Sequence, residues 1–189
     1  IGITIESGLD LRVDADLFSQ VNHAQNRKLV VAVMEMAAIS PAPAVEVLDL
    51  FCGAGNLSLP AARRGAKVTG IDSDELAIAA AESNARALGL SNTKFVAGKA
   101  AETANFLIRA RYRPAVVILD PPRTGAAELI EAIVKMRPHA VIYVSCDIAT
   151  LARDLRILTA ARYRAERIRA FDFFPNTHHV EIAAHLLLT

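Results

Sequence analysis

Cysteine, long apolar runs and net charge are all scarce in this sequence. Two cysteines among 189 residues are too few for a disulfide framework, and a reduced, cytoplasmic setting is the expectation. No apolar run approaches the ~18 residues that span a bilayer, and the N-terminal residues lack a signal-peptide pattern, so we expect no membrane partner. A net charge of +1 neither demands nor excludes nucleic acid, although free-standing nucleic-acid binders are usually more basic.

Short apolar runs alternate with helical patterns over most of the chain. The runs occupy residues 45–50, 67–72, 93–98, 115–120 and 140–146, and helical spacing includes residues 73–90 and 126–137. Runs of Val, Ile and Leu without polar alternation are typical of parallel strands that are buried on both faces. Their alternation with helices predicts a doubly wound α/β sheet.

Two further extended stretches, 164–173 and 179–188, follow with only a short connection between them. Such a connection favours an antiparallel hairpin at the sheet edge, which brings the mostly parallel sheet to seven strands. We predict one domain over residues 1–189, with a lead-in and helix over 1–40 and the α/β core over 41–189. The linker-like stretch "SPAPA" (40–44) lies at that division.

A glycine-containing turn follows the first buried run, in "VLDLFCGAGNLSL" (47–59). Gly53 and Gly55 allow a tight turn and close approach of a ligand. Asp72 ends the next run, 17 residues after Gly55, where an acid can accept hydrogen bonds from ribose hydroxyls. The third glycine of a dinucleotide fingerprint is missing, so the turn favours a nucleoside without phosphates, such as S-adenosylmethionine.

The fourth run ends in "LDPPRTG" (119–125), where two prolines stiffen a loop at the sheet edge. Asp120 could orient a cofactor or substrate there, and Arg123 could bind a phosphate or carboxylate of the substrate. The alternative is that Asp120 only caps the loop and Arg123 is solvated.

Cys146 ends the fifth run, and Asp147 after it is a candidate N-cap for the next helix. A thiol just before a helix N-terminus is favoured as thiolate, so Cys146 is a candidate nucleophile. An inert core cysteine is the alternative, and metal binding is disfavoured by the cysteine spacing. Cys52, beside the glycine turn, is interpreted as a packing residue.

The final stretch begins with "FPNTHHVE" (174–181). Glu181 or His179, which share a strand face, could act as a base. His178, His179 and Glu181 could also bind metal, although no further ligands cluster nearby in sequence, and a polar strand start is the third interpretation. We expect no metal in this chain.

These stretches together resemble the RNA uracil-C5 methyltransferases, the family that forms 5-methyluridine in tRNA and ribosomal RNA. The matching segments are "FSQVN" (18–22), "LDLFCGAGNLSLP", "DPPRTG", "YVSC" with "ATLARD", and "FPNTHHVE", in the family's order. The resemblance implies a Rossmann-like, class I S-adenosylmethionine-dependent methyltransferase, with RNA as its partner and further RNA-binding domains upstream. A monomer is the expected state.

The resemblance also implies roles for individual residues. Gln20, Phe51, Asn56, Asp72 and Asp120 would contact S-adenosylmethionine, with Cys146 as the nucleophile and Glu181 as the general base. The family usually has Asn-Pro after the cysteine, where this chain has Asp147-Ile148, and Lys99 stands where Asp or Asn is common. Alternatives to this assignment are an amino-methyltransferase acting on adenine or guanine, and a module that binds the cofactor but only scaffolds RNA.

Overall fold

The computed structural model describes residues 1–14, 16–40, 43–177 and 179–189. The strands are β1 (Gly2–Glu6), β2 (Leu9–Arg12), β3 (Glu46–Leu50), β4 (Lys67–Asp72), β5 (Thr93–Ala97), β6 (Val116–Leu119), β7 (Ala140–Ser145), β8 (Tyr163–Phe171) and β9 (Glu181–Leu188). The helices are α1 (His23–Ala37), α2 (Ser58–Arg63), α3 (Glu75–Ala87), α4 (Ala100–Arg109), α5 (Ala127–Met136) and α6 (Ile148–Ala160). Two residues of "SPAPA" and His178 lie outside the described residues.

The main sheet has seven strands in the order β5-β4-β3-β6-β7-β9-β8. The five strands from β3 to β7 pair in parallel, whereas β9 runs antiparallel to both β7 and β8. The predicted α/β class, the parallel strands and the antiparallel terminal hairpin are therefore confirmed. The order of neighbours reverses direction around β3, and ligands of such sheets bind at the carboxyl ends of the strands near that point.

Helices cover both faces of this sheet and enclose two apolar cores. The first core joins α1, α2 and α3 to one face, and the second joins α4, α5 and α6 to the other. The central strands β6 and β7 are buried at every position, as their continuous Val, Ile and Leu runs predicted. No helix in the described ranges is long and apolar enough to cross a membrane.

The first residues form a separate two-stranded antiparallel hairpin, β1–β2, which the division into lead-in and core did not anticipate. Its alternate residues Ile3, Ile5, Leu9 and Leu11 are buried against the core around α1. Alternation of this kind is the ordinary signal for a half-buried strand. The hairpin therefore packs as part of the domain.

Candidate active site

A cavity of about 500 Å³ opens at the carboxyl ends of β3, β4, β6 and β7. Nine of the ten site residues that were predicted from the sequence line this cavity: Gln20, Phe51, Gly53, Asn56, Asp72, Asp120, Arg123, Cys146 and Glu181. The tenth, Gly55, is not among the lining residues. A Cβ on Gly55 would lie 2.8 Å from a side-chain carbon of Leu59, so this glycine permits the turn to pack on α2.

The glycine turn is held in place by the next strand along the sheet. The backbone N–H of Gly53 donates to Oδ2 of Asp72 at 2.8 Å, and the N–H of Asp74 donates to Oδ1 at 3.0 Å. Each carboxylate oxygen of Asp72 keeps a further acceptor site for a ligand hydroxyl. Phe51 has a φ of 64°, a left-handed conformation that non-glycine residues rarely adopt and that marks a constrained site.

Asn26, on α1, is a site residue that the sequence analysis missed. Its side-chain amide exchanges two hydrogen bonds with that of Asn56, at 2.8 and 3.0 Å, and Asn26 is only 2% exposed. A primary amide has two donors and two acceptor sites, so Asn56 keeps one N–H and one acceptor site for a ligand. The pairing fixes the orientation of Asn56 in the cavity.

The β1–β2 hairpin forms an apolar wall of the cavity, to which Ile3, Ile5 and Leu11 contribute. Asn84 on α3 ties this wall to the glycine turn. Its side chain accepts from the N–H of Arg12 at 2.9 Å and donates to the carbonyl oxygens of Arg12 and Ala54. Because these groups are 72 and 30 residues from Asn84, the local sequence pattern gave no sign of the contact.

Cys146 and Glu181 approach each other because of the register between β7 and β9. Ser145 pairs with Ile182 in this antiparallel ladder, so Cys146 directly follows the end of β7 where Glu181 begins β9. Both residues line the cavity, and the charge of Glu181 acts on the thiol.

The charges around Cys146 oppose one another. Burial and the negative charge of Glu181 raise the pKa of the thiol, Arg123 lowers it by hydrogen bonding and charge, and Asp120 raises it again. The pKa of the thiol is therefore raised, which is contrary to the expectation that the helix terminus favours thiolate. The carboxylate of Asp147 accepts from Thr150 N–H at 2.8 Å and caps α6, as predicted.

Three acids near the cavity have elevated pKa values. Burial, followed by the charge of Asp120, raises the pKa of Glu181 to about 8. Burial also raises the pKa of Asp120 to about 6, and that of Asp49, beneath the glycine turn, to about 7. Ser58 donates to Oδ2 of Asp49 at 2.6 Å. These acids retain protons at a pH where exposed carboxyl groups are ionised.

This acid cluster predicts that the chain loses stability as the pH rises. All three pKa values exceed their ordinary values of 3.8 or 4.5, so the folded chain binds protons more tightly than the unfolded chain. Their contribution is complete below about pH 4 and is lost as the pH rises through about 6 to 8. Thermal unfolding should give a melting temperature roughly 5 °C lower at pH 8.5 than at pH 6.

Glu181→Gln tests this account, because glutamine cannot titrate. The variant should show a weaker decline in melting temperature between pH 6 and pH 8.5 than the parent chain. An equal or steeper decline in the variant would show that Glu181 is not a source of the pH dependence.

Cys52 and His179 were the other two candidates. Cys52 lines the cavity but is buried, and a Cβ on Gly70 would lie 3.0 Å from its sulfur, in agreement with the packing interpretation. His179 lies before β9, with its ring 6.1 Å from that of Phe174 in an edge-on arrangement. Within the described residues, no group of three or more His, Cys, Asp or Glu side chains is arranged to hold a metal ion.

A seven-stranded sheet of this topology, with Asp72 at the end of β4 and a glycine turn after β3, has the fold of the S-adenosylmethionine-dependent methyltransferases. The family model described as tRNA (Uracil-5-)-methyltransferase matches residues 6–188. The chain belongs to this family.

Individual relatives agree with that assignment. The chain is 41% identical over 175 residues to the 23S rRNA (uracil(1939)-C(5))-methyltransferase RlmD of Marinomonas sp. (strain MWYL1), covering 92% of this chain and 39% of the relative. The RlmD of Alcanivorax borkumensis is 38% identical, with 94% and 40% covered. The solved structure of Pyrococcus abyssi tRNA (uracil-54, C5)-methyltransferase in complex with S-adenosyl-L-homocysteine is 32% identical, with a TM-score of 0.79, and 95% and 42% are covered. The chain thus spans about two fifths of the length of these relatives.

Proposed function

We propose that this chain is the catalytic unit of an S-adenosylmethionine-dependent enzyme that forms 5-methyluridine in RNA through a covalent cysteine adduct. The observation that carries the proposal is that Cys146, just after β7, and Glu181, at the start of the neighbouring β9, line one cavity bordered by the glycine turn. The names of the relatives support uracil as the base and RNA as the substrate.

The residues that border the glycine turn suit S-adenosylmethionine. Asp72 would accept hydrogen bonds from the ribose hydroxyls, and the remaining donor and acceptor of Asn56 are free to bind the cofactor. Gln20, Phe51 and Asp120 would complete the pocket, and the apolar hairpin wall would exclude water. When bound, the cofactor supplies an electrophilic methyl group on a positively charged sulfur.

Uracil C5 needs activation, because it is a poor nucleophile on its own. The thiolate of Cys146 would add to C6, and the electrons of the C5=C6 double bond would then make C5 an enolate-like carbon. That carbon would take the methyl group, with the electrons of the broken S–CH3 bond remaining on sulfur, and would still carry its original hydrogen. Arg123, which lowers the pKa of the thiol, would favour the thiolate that begins this sequence.

Glu181 would complete the reaction as a general base. Its carboxylate would remove the C5 proton, the electrons of that bond would restore C5=C6, and the C6–S bond would break to return the thiolate. With a pKa of about 8, the ionised form of Glu181 is a stronger base than an ordinary glutamate. Its position in the same cavity as Cys146, close enough for its charge to act on the thiol, suits removal of a proton from the carbon next to the attacked one.

A mechanism-based RNA tests the proposal. The full-length protein is mixed with S-adenosylmethionine and RNA in which 5-fluorouridine replaces uridine, since fluorine at C5 cannot leave as a proton. We expect an adduct in intact-mass spectra that maps to Cys146, is retained in Cys52→Ser and is lost in Cys146→Ala. Absence of the adduct, with cofactor and RNA binding demonstrated, would refute the covalent mechanism.

A further inference from the structure

Asp154 is a completely buried carboxylate on α6 that does not line the cavity. Its Oδ2 accepts from the hydroxyl of Tyr143 at 2.7 Å and from the N–H of Ala126 at 2.8 Å. Its Oδ1 accepts from Nε of Arg153 at 2.8 Å. Burial opposes ionisation of Asp154, but these hydrogen bonds outweigh it and lower the pKa of its carboxyl group. The group is therefore an anion with fixed partners on three segments.

One of those segments is the loop that follows β6 and carries Arg123. Nη2 of Arg153 donates to the carbonyl oxygen of Thr124 at 3.0 Å, and the hydroxyl of Thr150 donates to the backbone carbonyl oxygen of Arg123 at 3.2 Å. Gly125 has a φ of +77°, and a Cβ there would lie 2.8 Å from Oδ2 of Asp154. The backbone on both sides of Gly125 is thus held against α6 with no room for a side chain.

The second segment is β7, which carries Tyr143 in its middle and Cys146 just after its end. Asp154 therefore links two segments: β7, which leads to the thiol of Cys146, and the loop that carries the guanidinium of Arg123. Around the thiol, Arg123 is the cation and Glu181 and Asp120 are the acids. Asp147 caps α6 through Thr150, and its carboxylate also feels the charge of Arg123. A small displacement of the Arg123 loop would leave the thiol facing acids alone.

We propose that Asp154 is a positioning residue that holds the Arg123 loop against β7, so that the guanidinium stays beside the thiol of Cys146. The inference rests on the proposed function for its catalytic meaning. Arg153 and Tyr143 complete the anchor, Arg153 by binding the Thr124 carbonyl and Tyr143 by fixing Asp154 to the strand.

The test measures the reactivity of one thiol rather than methyl transfer. Iodoacetamide alkylation of Cys146 in the full-length protein is followed by peptide mass spectrometry from pH 6.5 to 10, which gives the midpoint of thiol ionisation. Tyr143→Phe should slow alkylation at pH 7.5 about threefold, and Asp154→Asn about tenfold, by moving the midpoint to higher pH. The measurement needs no RNA or cofactor, so it can fail or succeed independently of the 5-fluorouridine experiment.

Tyr163→Phe is the matched control for Tyr143→Phe. Tyr163 is also buried, and its hydroxyl donates to the carbonyl oxygen of Pro138 at 2.9 Å, away from the Arg123 loop. Both changes remove one buried hydrogen bond and should lower the melting temperature similarly, but Tyr163→Phe should leave the Cys146 midpoint in place.

Arg123→Met tests whether the hydrogen bonds of Asp154, Arg153 and Tyr143 affect the thiol through the Arg123 guanidinium. In that background Tyr143→Phe should produce no further shift of the midpoint, because the group that it displaces is already gone. An unshifted midpoint in Tyr143→Phe would overturn the proposal. A shift of the Cys146 midpoint by Tyr143→Phe that persists at full size in the Arg123→Met background would also overturn the proposal. If Asp154→Asn does not fold, Tyr143→Phe alone still provides the test.

Discussion

Cys146→Ser is expected to lower methyl transfer to uridine by roughly four powers of ten, because a serine hydroxyl is much less acidic and a weaker nucleophile than a thiol. Without addition at C6, C5 does not become nucleophilic, and cofactor binding alone cannot compensate. Affinity for S-adenosylmethionine should stay within about threefold, since the substitution changes one atom at the cavity floor. The measurement pairs single-turnover transfer of a labelled methyl group with calorimetric titration of the cofactor.

The two cysteines of the chain provide the matched comparison. Cys52→Ser makes the same chemical change in the same cavity wall, but at a buried residue that packs against Gly70. We expect it to cost stability while keeping methyl transfer within about threefold of the parent. If Cys146→Ser retained most of its activity, the thiolate mechanism would be wrong, and an amino-methyltransferase acting on adenine or guanine would become the better hypothesis.

Glu181→Gln is expected to stop the reaction after the methyl group has moved. The amide cannot remove the C5 proton, so the C6–S bond to Cys146 persists and one labelled methyl group per enzyme stays in a protein–RNA adduct. Turnover should fall by about 10² to 10⁴, the usual contribution of a general base. Denaturing electrophoresis with label in the methyl group separates this adduct from an unmethylated one.

Glu166→Gln is a suitable control, because Glu166 lies on β8 and pairs with Arg164 away from the cavity. It should turn over at the parental rate and accumulate no adduct. Turnover by Glu181→Gln at the parental rate would assign the base elsewhere, with Asp120, whose charge acts on Glu181 in the same cavity, as the next candidate. Loss of turnover without any labelled adduct would place Glu181 before methyl transfer.

Much of the sheet was predictable because each central strand is buried on both faces and therefore carries an unbroken apolar run. The residues that directly follow such runs meet at one edge of a parallel sheet, and this rule brought Asp72, Asp120 and Cys146 together before any contact was known. Asp147 as the cap of α6 was equally accessible, because capping depends on residues only three apart.

Contacts between distant segments were not predictable in this way. Asn26 and Asn56 are 30 residues apart, and neither the helical spacing of α1 nor the glycine turn specifies that their amides meet. The protonation of Cys146 was also missed, since the helix N-terminus next to it is evident in the sequence, whereas its burial and the opposing charge of Glu181 emerge only from the β7–β9 register. The β1–β2 hairpin had a visible alternating pattern that the division at residue 40 overlooked.

The hairpin wall has a consequence for how the protein matures during synthesis. Ile3, Ile5 and Glu181 all line the cavity, so residues near both ends of this chain are needed to form it. Asn22, in the same N-terminal region, donates to the carbonyl oxygen of Phe173, 151 residues away. Closing contacts of such long range comes late in folding. A nascent chain therefore cannot complete the cavity until β9 has left the ribosome.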